Sequence, residues 1–132
     1  MARPKSEYPT PIELEVLKIF WESGPRNVRQ VWEVLKQQRN RHYTSVASLL
    51  ATMAEKGMLE SEVQGRTLVY RAAIAREETL GEIVEDLVDR AFAGSAGALV
   101  LQVLDQCEPS AEEMDAIAKF LRQYRKRKGE KP

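Results

Sequence analysis

A chain of 132 residues, 43% apolar and 30% charged, has the size and composition of one globular domain, or of a small domain with an appendage. No apolar run reaches the roughly 20 residues that cross a bilayer, residues 1–7 lack the apolar segment of a secretory signal, and Cys107 is the only cysteine, so no intrachain disulfide can form, direct membrane insertion is not expected and a cytoplasmic setting is expected. Net charge is zero, yet residues 1–72 carry 11 basic against 8 acidic side chains, residues 73–132 carry 9 against 12, and the stretch 34–54 has Lys36, Arg39, Arg41 and His42 with no acid.

The first helix announces its start with Thr10-Pro11-Ile12-Glu13: a hydroxyl cap, proline at the first position and a carboxylate three residues on. Ile12, Val16, Leu17, Ile19 and Phe20 recur at helical spacing, and Gly24-Pro25 ends a helix over about 11–22. Asn27 caps a second helix with Val28, Val31, Trp32 and Leu35 as its buried stripe, fading into a polar connector at 37–41. Trp21 and Trp32 lie on or beside these stripes and are read as core. A third helix is expected to begin near Thr44 or Ser45, either of which can cap it, with Val46, Leu49, Leu50 and Met53 inward and Gly57 as its stop. Beyond Gly57 the period shortens toward two: residues 58–63, a turn at Gln64-Gly65, and residues 66–71 read as a β-hairpin.

Three short helices and a hairpin are the order of a winged helix-turn-helix, in which the third helix enters the major groove. The fold class is therefore mainly α, a winged helix-turn-helix over 1–73 followed by a helical region over 74–127 and a disordered tail at 128–132. In that second region Leu80, Ile83, Val84, Leu87, Val88 and Ala91 form one stripe, Ala96–Leu104 a short apolar helix, and Ser110-Ala111-Glu112-Glu113 caps a last helix striped by Met114, Ile117, Ala118, Leu121 and Tyr124. Stripes this wide need cover, and pairing with a second copy is the commonest solution; packing back onto the N-terminal domain is the alternative. The expected dimer contacts are Leu80, Ile83, Val84, Leu87, Val88, Leu99, Val103, Met114, Ile117 and Leu121.

With its apolar side inward, the third helix turns Thr44, Ser45, Ala47, Ser48 and Thr52 outward. Small side chains let a helix sit deep in the groove, hydroxyls bond phosphates or base edges, and an alanine can touch a thymine methyl. Arg41, His42 and Tyr43 precede this helix as contacts to the DNA backbone, and Gly65-Arg66 at the hairpin tip pairs a tight turn with a cation that reaches phosphate. On charge alone a solvated patch reads the same; the hairpin tips the balance. His42 has neither the neighbours of a metal ligand nor a nucleophile to serve, and the chain has no Gly-rich phosphate loop and no His-Glu-x-x-His. An enzyme, a metal site and a cofactor are not expected. The rival class is a winged helix used only for protein contact, which would show little salt-dependent affinity for duplex DNA.

The segments Glu15–Trp21, Tyr43–Leu50, Glu55–Leu59 and Gly65–Tyr70, in this order, resemble the BlaI/MecI penicillinase-repressor family over nearly the whole chain. The resemblance implies a dimeric repressor on an inverted-repeat operator, with Thr44, Ser45 and Ala47 toward the bases, Gly65-Arg66 toward the backbone, and the C-terminal helices forming the dimer. It also implies relief of repression by a cut that a membrane metalloprotease sensor triggers at an Asn-Phe pair, where this chain has Gln102-Val103. Copper-responsive relatives carry paired cysteine motifs; Cys107 alone excludes that switch.

Overall fold

Thr10 and Glu13 form the reciprocal cap that starts α1 (Pro11–Ser23): the Glu13 amide donates to Thr10 Oγ1 at 3.3 Å and the Thr10 amide to Glu13 Oε1 at 2.9 Å. A computed structural model describes residues 8–38 and 40–129; residues 1–7, Arg39 of the connector, and 130–132 of the expected tail lie outside the described residues. After α1 come β1 (Arg26–Asn27), α2 (Val28–Gln38), α3 (Tyr43–Glu55), β2 (Leu59–Gln64), β3 (Thr67–Ala72), α4 (Arg76–Ala91), α5 (Ala96–Cys107) and α6 (Ala111–Arg127). The fold is mainly α, with a winged helix-turn-helix at its N-terminal end.

Periodicity located the helical core correctly. Val16, Leu17 and Phe20 of α1, Val31 and Leu35 of α2, and Val46, Leu50 and Met53 of α3 meet Met58, Leu59 and Tyr70 from the sheet. Each such side chain stabilises the fold by about 1.5–3 kcal/mol when fully buried. Trp21 and Trp32 are half-buried against this core, and each turns its N–H to a backbone carbonyl, Ile74 at 3.0 Å and Arg41 at 3.0 Å respectively.

The sheet differs from the expected two-stranded hairpin. Its order is β1-β3-β2, all antiparallel, with Arg26 opposite Tyr70 and Asn27 opposite Val69. Two residues are too short to show a period of two, so β1 has no sequence signature. The hairpin is also shifted by one position: Gln64 pairs with Thr67, and the two turn residues are Gly65 and Arg66 rather than Gln64 and Gly65. Gly65 at the first turn position has φ +65°, which suits a two-residue hairpin turn with glycine first.

The chain forms two compact units, dividing between Glu85 and Asp86 within α4. In the second unit Ser95 caps α5 by accepting the Ala98 amide at 3.1 Å, and Ser110 and Glu113 cap α6 reciprocally. No residue of α5 or α6 is buried. No single described helix is long and apolar enough to cross a membrane.

Candidate nucleic-acid interface

The geometry of α3 is set from α2. The Trp32 indole edge-packs Tyr43, the first residue of α3, with ring centroids 5.8 Å apart, while its N–H holds the Arg41 carbonyl of the connector. This corrects the expected helix start: α3 begins at Tyr43, His42 sits at the cap position without a side-chain cap bond, and Thr44 and Ser45 lie inside the first turn. A tertiary contact, not a hydroxyl cap, starts this helix. At the other end Gly57, with φ +85°, lets the Met58 amide donate to Met53 O at 2.9 Å and its own amide to Ala54 O at 3.1 Å, closing α3 and sending the chain into the wing.

Between those ends one side of α3 is committed to the core through Val46, Leu50 and Met53, with Leu49 half-buried. The other side exposes Thr44, Ser45, Ser48 and Thr52, with Ala47 half-buried beside them. His42 and Tyr43 are exposed; Arg41 is half-buried, and its Nε is a buried donor without a hydrogen-bond partner. Gly65 and Arg66 are exposed at the wing tip.

Electrostatics at this face favour an anion. Neither α2 nor α3 has an acid in its first turn, a feature shared with α5 alone; α1, α4 and α6 each have one. The partial positive charge of those two helix starts is therefore uncompensated and favours an anion. Farther down the wing Arg71 is neutralised by Glu60 at 3.0 Å and Glu62 at 3.6 Å, but no carboxylate among the described residues pairs with Arg66. An open recess of about 370 Å³, lined by Asn27, Val28, Arg29, Tyr43, Arg66, Thr67 and Leu68, lies between the start of α2, the start of α3 and the wing.

The residues expected to dimerise lie on α4, α5 and α6. Val84, Leu87, Val103, Met114 and Leu121 are exposed, at 41–52%, and Ile83, Val88, Leu99 and Ile117 are half-buried. Leu80 lines a recess with Leu14, Trp21 and Arg76 in the first unit. Gln102 and Val103 are exposed in the body of α5.

A sequence model of the penicillinase repressor family matches residues 9–123. The chain belongs to this family. The penicillinase repressor of Bacillus licheniformis is 25% identical over 118 residues, covering 89% of this chain and 92% of that protein. The transcriptional regulator BlaI of Mycobacterium tuberculosis is 28% identical over 123 residues, 92% of this chain and 88% of the other. The solution structure of the DNA-binding domain of the repressor BlaI superposes with a TM-score of 0.50 at 25% identity, over 58% of this chain and 93% of that domain.

Within this penicillinase-repressor chain, the recess is also lined by Asn27, Val28, Arg29, Thr67 and Leu68, which sequence reasoning did not place among the candidate site residues. Arg29 carried a usable signal. It follows the Asn27 cap by two positions in a helix start that has no acid.

Proposed function

We propose that this protein is a homodimeric transcriptional repressor that reads duplex DNA with the exposed side of α3 and grips the backbone with its wing. One observation carries the reading: over its first three turns the side of α3 opposite the core bears small hydroxyl-bearing residues, Thr44, Ser45, Ser48 and Thr52, and no acid, the helix's one carboxylate being Glu55 at its last position, and Arg66 of the wing has no carboxylate partner among the described residues. Such a surface is shallow enough to enter the major groove and supplies donors and acceptors to base edges, while the first-turn amides and Arg66 supply the sequence-independent attraction. Family membership and the likeness to a DNA-binding domain support the same reading.

Pairing is supported by the second unit, whose apolar stripes have no cover within the unit. A two-fold dimer through Ile83, Val84, Leu87, Val88, Leu99, Val103, Met114, Ile117 and Leu121, with Leu80 at its edge, would cover them and present two α3 helices to the half-sites of an inverted repeat. Half-site centres would then lie about 34 Å, one helical turn, or a multiple of it apart. Gln102-Val103 occupies the place of the family's cut, and severing α5 there would free α6 from the DNA-binding unit. Repression would fall because two linked half-site contacts become two independent ones. The protease has to unwind the helix first.

Selection of bound fragments from genomic DNA tests the whole reading, since it reports duplex binding, half-site and spacing together. Arg66→Ala is expected to weaken binding to all sequences and flatten the plot of log affinity against log salt by about 0.9 per protomer. Ser45→Ala is expected to change base preference with the salt slope kept. A protein that retains no duplex fragment even in dilute buffer sinks the reading, and leaves the protein-contact module in its place.

A further inference from the structure

Building on the duplex-binding reading, we infer that the recess between the start of α2, the start of α3 and the wing seats the phosphodiester backbone of one DNA strand, with Arg29 as its grip on the α2 side. The recess has a cation on each flank, Arg29 from α2 and Arg66 from the wing, and no acidic side chain among its lining residues. Neither cation is neutralised: Lys36 is tied to Glu33 at 3.0 Å, Lys56 to Glu13 at 2.8 Å and Arg71 to Glu60 and Glu62, whereas Arg29 and Arg66, like Lys18 and Arg26, have no carboxylate partner among the described residues. What sets Arg29 and Arg66 apart is that they flank one recess.

Arg29 is nevertheless held in place. Its Cζ lies 5.9 Å from the centroid of the Trp32 ring, so the guanidinium rests over an aromatic that also fixes the start of α3. A cation–π contact uses none of the guanidinium N–H groups, and their planar fork matches the geometry of phosphate oxygens. Asn27 is occupied by its own reciprocal cap with Gln30, at 2.9 Å in each direction, and this cap leaves the Val28 and Arg29 amides without an acceptor inside the helix. Val28 and Arg29 both line the recess, so the ligand chemistry that suits this helix start and the two arginines is a phosphate diester.

The test measures binding of the full chain to a fluorescent duplex of arbitrary sequence, about 30 base pairs long, across a salt series. Arg29→Ala is expected to lower affinity severalfold and to flatten the log–log salt slope by about 0.9 per protomer, while Arg29→Lys keeps the slope. Arg76→Ala is the charge-matched control, because Arg76 starts α4 and is already paired with Glu77; it should leave the slope unchanged. Wild-type binding with an Arg29→Ala slope equal to that of wild type, or with an equal loss in Arg76→Ala, overturns the inference and leaves the duplex-binding reading intact. Absence of wild-type binding at low salt overturns both.

Discussion

The indole N–H of Trp32 donates to the backbone carbonyl of Arg41 at 3.0 Å, nine residues along the chain. That bond, with the edge-on contact to Tyr43, fixes the connector at the point where it turns into α3. Trp32→Phe keeps most of the ring packing but leaves a half-buried carbonyl without its donor. Unfolding by denaturant should show a loss of about 1 kcal/mol. The more telling readout is discrimination: the ratio of affinities for the selected site and a scrambled duplex should fall, with the salt slope kept. If instead the slope drops and the ratio holds, Trp32 acts through its cations and not through the α3 start.

The wing tip gives a prediction about backbone conformation. Gly65 has φ +65° and open space around a would-be Cβ, so a substitution there is opposed by the backbone and not by crowding. Gly65→Val should cost about 1–2 kcal/mol locally, and Gly65→Asn much less, since asparagine tolerates this region. Because the strain sits at the far end of β2 and β3, the core should melt nearly unchanged while amide exchange at Gln64 and Thr67 speeds up. Equal exchange in the valine and asparagine variants would show that the turn tolerates other geometries.

These two sites also mark what the sequence made legible. The helices were readable because their cores repeat at 3.6 residues and their caps are local, as Thr10-Glu13 and Ser110-Glu113 show. The start of α3 was not, because it depends on Trp32, eleven positions from Tyr43, and no local pattern announces an aromatic contact. β1 was hidden for a similar reason: its two residues are strand only because Tyr70 and Val69 lie opposite. At the interface, the outward hydroxyls of α3 followed from its inward stripe. Arg29 required knowing that α2, α3 and the wing converge.

Glu13 offers a pH prediction. Burial by itself would raise its carboxyl, but the Lys56 ammonium at 2.8 Å and the Thr10 amide outweigh that cost and hold it below the ordinary glutamate range. A carboxyl lowered by folding stabilises the protein fully above the unfolded-state value, and that contribution is lost as pH falls through the folded-state value. Glu13→Gln should therefore cost about 1–2 kcal/mol near neutral pH, trimmed by the partial exposure of Lys56, and should cost less as acid is added. Urea unfolding of both proteins at about pH 7 and about pH 3 measures this. A stability difference that grows toward acid would show that the carboxyl is not held ionised.

The apolar side of the second unit yields the last prediction. Leu121 is 52% exposed on α6, a helix with no buried residue, and Leu87 is 43% exposed on the part of α4 that belongs to the same unit. Burying a leucine fully contributes about 1.5–3 kcal/mol, and a two-fold interface counts every substitution twice. Leu121→Glu should therefore raise the dimer dissociation constant by a factor on the order of 10²–10⁴, because each side chain loses its burial and each carboxylate must be desolvated. Sedimentation should move from dimer toward monomer at micromolar concentration, while the helical circular dichroism signal of the first unit persists. Operator affinity should fall with it, since each half-site contact loses the effective concentration its twin supplied. A variant that still sediments as a dimer would place the interface on another face of α6, and the exposed side bearing Leu101, at 68%, becomes the next to be charged.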